Sequence, residues 1–495
     1  MIDNFIAGSV ALFGDPFTIG IFVFGVIGGM LFGAIPGVSM LTLAAILLPF
    51  TASLDPAQGV MLFAVIYCTG TYGGAITAIL FNIPGAPENA PTAFDGYPMT
   101  RKGQSGKAVG AAVLCSAIGG ISSALVMMAA TEPLANWAIS NIGPPEIFAL
   151  VFFGLAVASS VGGRTLWKGW MSVLLGLLIA TIGQDPVGGI NRYNFGFSDL
   201  AAGIAFVPAI LGFFAVSEIF VQAEKKAVGK YEAPKMSVNF PSILELWAHK
   251  IAVLRSILVG FFCGILPGIG ATLAAFMGYG EAVRWSKNKE SFGKGNLEGV
   301  ISSETANNAA TGAAMIPLLA LGLPGGALTA MMVAVFQMHD LEPGPLVFYN
   351  SPDLIWIVFA AMFYANVSIL FIGLIETKTI LYLLKIPFQF LAPMILLLAS
   401  IGSYIGRGLV LDVMVMFISG IMGFLLRRSG YSIPGIVLGI ILGKIGEQNF
   451  AQGMQMVHYD LLEYLSRPIC LLLIVAGSLT LLAGIYKALS FSFKS

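Results

Sequence analysis

Polar side chains that could hold an ion or a carboxylate gather at a few places in this chain. Asn82, Glu88, Asn89, Thr92 and Asp95 follow one long apolar run, and Glu304, Asn307, Asn308 and Thr311 lie inside another. Ser39, Thr42, Thr69, Thr71 and Thr272 add hydroxyls. The groups adjoin four Pro-Gly pairs: Pro36-Gly37, Pro84-Gly85, Pro267-Gly268 and Pro324-Gly325. The N-termini of broken helices offer N–H groups and a positive dipole end to an anion. Unwound carbonyls and helix C-terminal ends suit a cation. The chemistry indicated is binding of an anion with a coupling cation, not bond making. No P-loop, H-E-x-x-H or G-x-S-x-G motif occurs, so ATP hydrolysis and proteolysis have no support. His249, His339 and His458 are too far apart to suggest a metal site or proton relay. Two blander readings stay open. Glu88 and Asp95 also read as loop carboxylates at the membrane face, and Asn307 and Asn308 as amides bridging helices.

The elements that must position these residues are apolar helices. Of 495 residues, 57% are hydrophobic and only 10% charged, well below a soluble chain. Mean hydropathy is +0.89. Runs long enough to cross a bilayer recur, among them VGAAVLCSAIGGISSALVMMAA (109–130) and PDLIWIVFAAMFYANVSILFIGL (352–374). A β-barrel would show short alternating segments instead. The formal net charge of zero gives no bulk attraction to nucleic acid. Cys68, Cys115, Cys263 and Cys470 sit singly in apolar runs, so no disulfide is expected. The N-terminus lacks a basic n-region, and no cleavable signal peptide is expected.

Basic residues mark cytoplasmic loops. Residues 1–100 and 295–377 contain no lysine or arginine. The basic clusters are Arg101, Lys102 and Lys107; Arg164 and Lys168; Lys225 to Arg255; Arg284 to Lys294; Lys378 and Lys385; Arg427 and Arg428; and Lys487 and Lys494. Loops between them, such as TASLDPAQG (51–59) and HDLEPGP (339–345), are neutral or acidic. Arg192 and Arg407 are exceptions. The pattern places the N-terminus outside and the C-terminus inside, with all six tryptophans near span ends.

The chain also repeats itself. GMLFGAIPGV (29–38) recurs as GFFCGILPGI (260–269), and NIPGA (82–86) recurs as GLPGG (322–326), in the same order and at similar separation. Gly29 and Gly260 in the shared G-x-x-x-G read as packing residues. The flanking charges are reversed. Half one has no basic residue before its second Pro-Gly and Arg101, Lys102 and Lys107 after it. Half two has its basic clusters before and Asp340 and Glu342 after. That is the pattern of an inverted-topology repeat, a signature of secondary transporters. The sequence predicts an all-α polytopic membrane protein of about 12 spans with re-entrant hairpins and discontinuous helices. Residues 1–223 form the first repeat, with a hairpin near 17–50, a broken helix near 57–100 and four further spans. Residues 224–250 are a cytoplasmic linker. Residues 251–495 form the second repeat, with a hairpin near 251–283, a broken helix near 301–338 and an extra C-terminal span.

GAIPGVS, TGTYGGAITAILFNIPGAPENAPTAFDGYPM, FFCGILPGIGATLAAF and ISSETANNAATGAAMIPLLALGLPGG resemble the large permease subunit of the tripartite tricarboxylate transporters, the TctA family. The resemblance spans essentially the whole chain. It implies a prokaryotic inner-membrane permease that works with a small four-helix membrane subunit and a periplasmic solute-binding protein. It implies uptake of a carboxylate, such as citrate, driven by an ion gradient, on an elevator-type scaffold. By the same resemblance Pro36, Gly37, Pro84, Gly85, Pro267, Gly268, Pro324 and Gly325 form the backbone of the substrate site. Ser39, Asn82, Asn307, Asn308 and Thr311 supply side-chain ligands. A sodium site would draw on Thr71, Asn82, Gly270, Thr272, Asn308, Thr311 and Gly322. Proton coupling would instead need Asp95 or Glu304. No cofactor is implied, and no buried arginine is available to the anion. A channel without coupled uptake remains an alternative on the repeat pattern alone. A membrane-embedded enzyme does not, because no nucleophile–base pair or metal ligand set is visible.

Overall fold

The computed structural model describes residues 1–35, 39–161, 166–224, 241–266, 270–383 and 388–492, excluding the side chains of residues 160, 161, 166, 243, 374, 376–383, 388–391 and 484–492. Pro36, Gly37, Pro267, Gly268 and most of the expected linker lie outside the described residues. Apart from a two-residue β-pair, Gly183–Gln184 with Asn191–Arg192, the described secondary structure is helical.

The main helices are α1 (Ile2–Gly14), α2 (Pro16–Ala34), α3 (Met40–Leu47), α4 (Pro56–Phe81), α5 (Ala90–Arg101), α6 (Ser105–Asn141), α7 (Pro144–Val161), α8 (Leu166–Ala180) and α9 (Phe206–Glu224). Then come α10 (Lys250–Ile265), α11 (Gly270–Trp285), α12 (Leu297–Leu321), α13 (Ala327–Met338), α14 (Pro352–Leu383), α15 (Phe388–Ile405), α16 (Val410–Arg428), α17 (Ile433–Met456) and α18 (Pro468–Ser492). Six of these, α2, α4, α6, α9, α14 and α16, contain stretches long and apolar enough to cross a bilayer; several shorter apolar helices accompany them. The protein is a multi-pass membrane protein.

Two helices form the centre. Every residue of α4 from Gly59 to Leu80 is buried, as is every residue of α12 from Gly299 to Ala320. Helix α2 packs on α4, α10 and α11 pack on α12, and α6 packs on α12. Small residues make this closeness possible. A Cβ on Gly33 would stand 2.3 Å from the Gly70 carbonyl oxygen of α4, and one on Gly260 would stand 2.2 Å from the Ala306 carbonyl oxygen of α12. Both G-x-x-x-G runs are therefore contact stripes that bring backbones together. Asp55 and Gln58 close a capping box at the start of α4, and Asn296 caps α12 through the Glu298 N–H.

Both central helices end abruptly. Helix α4 stops at Asn82, whose backbone is left-handed (φ 57°), and α12 stops at Gly322 (φ 74°). In each case the next residue donates back into the last turn: Ile83 to Thr77, and Leu323 to Pro317. A Pro-Gly pair follows, and then the short helix α5 or α13. Helices α7, α8, α17 and α18 pack together to one side, where Arg467 bonds Glu146 at 2.6 Å. Trp137, Trp167, Trp247 and Trp285 are exposed, whereas Trp356 is buried and its carbonyl lies against Gly8 of α1.

Candidate functional site

The segment after the first break meets α12 in the interior, and the start of α11 meets the segment after the second break. After α4 breaks, the Gly85 N–H donates to the Gly74 carbonyl at 3.3 Å. A Cβ on Gly85 would stand 1.9 Å from the Gly33 carbonyl oxygen, so only glycine fits between α2 and α4 there. In the second half the start of α11 meets the second break, with the Gly270 Cα 3.6 Å from a Cβ placed on Gly326. Thr272 of the same helix donates to Glu88 Oε2 at 3.5 Å, which links α11 to the segment after the first break.

Polar side chains from both halves converge beside these contacts. Glu304 lies in the middle of α12. Its Oε1 accepts from the Thr92 hydroxyl of α5 and from Asn307 Nδ2 at 3.5 Å. Its Oε2 accepts from Ser116 of α6 at 3.0 Å. Thr92 also touches Ser303 at 3.0 Å. Asn307 Nδ2 donates to the Glu88 carbonyl at 3.2 Å, and Asn308 Nδ2 donates to Asn307 Oδ1 at 2.8 Å. Asn89 Nδ2 reaches back to the Thr71 carbonyl at 2.8 Å. Thr311 donates to the Asn308 carbonyl at 2.8 Å, and Thr71 to the Tyr67 carbonyl at 2.8 Å.

The cluster is short of donors and of positive charge. Asn89, Asn307, Asn308 and Glu304 are wholly buried and Glu88 nearly so. The Oδ1 atoms of Asn89 and Asn308 and the Ser302 hydroxyl have no hydrogen-bond partner. None of the ion pairs among the described residues involves Glu88 or Glu304. A buried carboxylate without a cation is costly, and a buried carbonyl oxygen without a donor costs about 1–3 kcal/mol. A small cation would relieve both at once.

The other expected residues are placed as follows. Asp95 is wholly buried but fully engaged. It accepts from the backbone N–H groups of Gly295 and Asn296, each at 2.8 Å, and from the Tyr279 hydroxyl at 2.9 Å. It thereby holds α5 to the start of α12. Asn82 is exposed at the end of α4, Pro84 and Ser39 are half-buried, and Pro324 and Gly325 are buried. Gly322 packs against the carbonyl of Pro343. The structure thus joins Thr71, Thr272, Glu304, Asn307, Asn308 and Thr311 through a chain of contacts with Glu88 and Asn89. It holds Asn82 and Gly322 at the helix ends. Sequence reasoning missed Ser116, whose only visible signal was a hydroxyl in an otherwise apolar run.

This geometry defines a class: a multi-pass membrane protein whose buried interior, rather than its surface, carries the groups able to bind small ions. Residues 19–438 match the Tripartite tricarboxylate transporter TctA family, and the chain belongs to that family. It is the permease component of such a system, a transporter subunit rather than an enzyme. An uncharacterized 52.8 kDa protein of Agrobacterium vitis, in the TAR-I ttuC' 3' region, is 35% identical over 92% of this chain and 90% of its own length. A second uncharacterized protein from that organism, in the TAR-II ttuC' 3' region, is 35% identical over 44% of this chain and 90% of its own length. No solved structure matches the chain.

Proposed function

We propose that this permease takes up a tricarboxylate or another organic acid such as citrate by symport with a cation, sodium in preference to the proton. The observation that supports this most directly is the pair of buried carboxylates, Glu88 and Glu304. Neither has a cationic partner among the described ion pairs, and both lie in a cluster with the unpartnered oxygens of Asn89 and Asn308. A substrate anion brought there would meet like charge. A co-bound cation removes that penalty and couples the two movements. Neutral oxygens from Thr71, Asn82, Gly270, Thr272, Asn308, Thr311 and Gly322 form the sodium site, to which Asn89 adds its free Oδ1. The four Pro-Gly pairs, with Ser39, Asn82, Asn307 and Asn308, hold the substrate.

The two broken units act as inverted repeats, and the hairpins and breaks move together as an elevator. The small four-helix subunit and a periplasmic solute-binding protein complete the transporter in a prokaryotic inner membrane, with the N-terminus periplasmic and the C-terminus cytoplasmic. A proton reading falls on Glu304 alone, since Asp95 is held by two backbone N–H groups and a tyrosine.

The test is uptake of labelled citrate into proteoliposomes holding this chain and its small subunit, with and without the binding protein, under sodium or proton gradients imposed separately. Uptake that requires the binding protein and inward sodium supports the proposal. Uptake that follows the proton gradient alone replaces sodium with Glu304 protonation. Flux without any gradient dependence favours a channel.

A further inference from the structure

Two basic residues, Arg255 and Lys287, line a cavity that the transport reading does not use. It has a volume of about 870 Å³ and is lined by His249, Arg255, Trp285, Lys287, Asn296 and Glu298, among others. It lies between the first turns of α10, the end of α11 and the start of α12. We propose that this cavity holds the phosphate headgroup of an anionic phospholipid, of phosphatidylglycerol or cardiolipin chemistry, with the acyl chains along α10.

Three observations carry this. The first is the outer face of α10. Ile251, Leu254, Leu258 and Phe262 follow at helical spacing, and each is 59–68% exposed. The opposite face, with Ala252, Ser256, Gly260 and Gly264, is buried. The exposed stripe is long enough to take an acyl chain and runs directly into the cavity at Arg255.

The second is an interfacial girdle at the same level. Trp247 and Trp285 are 64% and 61% exposed. Lys250 lies 4.9 Å from the Trp247 ring, and Arg255 and Arg284 lie 5.8 and 5.7 Å from the Trp285 ring. Amphipathic rings and snorkelling cations mark the headgroup layer.

The third is unspent positive charge. Arg255 bonds only its own turn, through Ile251 at 3.4 Å, and neither it nor Lys287 joins an ion pair among the described residues. The one carboxylate lining the cavity, Glu298, is engaged by the Ser286 hydroxyl at 2.9 Å. A phosphodiester would meet a guanidinium and an ammonium while its tails stay in the membrane. Basic pockets between helices recognise anionic lipid headgroups in this way.

The experiment uses the full chain in neutral detergent, titrated with short-tailed phosphatidylglycerol or phosphatidylcholine and read by thermal unfolding and by native mass spectrometry. We expect phosphatidylglycerol to bind more tightly, and each cation removed from the cavity to cost about fivefold in affinity. Arg255→Ala with Lys287→Ala then abolishes the preference, while Arg101→Ala, a charge removed elsewhere, keeps it. Lys287→Gln alone, at an exposed position, gives a smaller loss in a variant whose fold is not in question. Three results would overturn the proposal. One is equal binding of the zwitterionic lipid. The second is competition by soluble glycerol phosphate as effective as by the lipid, which would assign the site to a free phosphate. The third is an unchanged lipid preference in the double variant.

Discussion

The two helix breaks share a backbone plan and differ in chemistry. After α4 the chain runs through Asn82, Glu88, Asn89 and Thr92, so the polar groups come after the break. After α12 the segment is Leu323 to Ala327, which carries no polar side chain, and the polar groups come before the break as Glu304, Asn307 and Asn308. Because the halves pack together, the post-break segment of one meets the mid-helix of the other. Thr92 and Glu304, and Glu88 and Asn307, are the contacts that result. The two breaks share one backbone plan, while the buried polar oxygens form a single cluster divided between the halves.

The largest expected effect tests that division. Glu304→Gln should leave a folded protein with uptake near background, while Asp95→Asn should keep gradient-dependent uptake. If both lose coupling equally, the distinction between a functional and a structural carboxylate fails. Next, Asn89→Ala and Asn308→Ala should each weaken sodium dependence about 10- to 100-fold, read as a shift in the sodium concentration for half-maximal uptake. An effect of Asn308 alone would place the site wholly in half two.

Backbone contacts sharpen the comparison from the other side. Gly85→Ala drives a methyl against the Gly33 carbonyl, whereas Gly325→Ala meets Ala314 at 2.8 Å. Both should destabilise, by about 1–3 kcal/mol for overpacking, with Gly85 at the upper end, as measured by thermal unfolding in detergent. Asp95→Asn should cost about 0.5–2 kcal/mol, the range of a lost helix cap, because a neutral amide replaces the acceptor at the start of α12.

The smallest effect concerns a surface ion pair between α6 and the segment before α10. Lys107 bonds Glu245 at 2.6 Å and holds its carboxyl below the usual glutamate range. A depressed carboxylate contributes stability above its ordinary range and loses it as pH falls through the lowered value. Lys107→Ala should therefore lower the melting temperature slightly at neutral pH and converge with the parent protein as pH falls, which flattens the acid limb.

Much of the scaffold was legible because it is written in backbone-forming residues. Asn82 and Gly322 end helices just before Pro-Gly pairs, and G-x-x-x-G packs as its spacing implied. Family membership was legible from the long motifs around them. The partners of Glu304 were not. Thr92 and Ser116 come from two other helices, and nothing in a run such as VLCSAIGG (113–120) marks one serine as facing a carboxylate almost two hundred residues away. Asp95 was ambiguous for the same reason. Its role is set by two N–H groups and a tyrosine that sequence distance hides.

Helix α12 has a consequence for how the protein is made. It is 25 residues long and central to the fold, yet it is absent from the helices apolar enough to span a membrane on their own. A segment carrying a glutamate and two asparagines at its middle partitions poorly from the insertion machinery into lipid. It must therefore leave the ribosome's exit route in company, with α10 and α11 waiting as neighbours or α6 already in place. The residues that give the transporter its interior chemistry also make its assembly depend on the order in which its helices are synthesised.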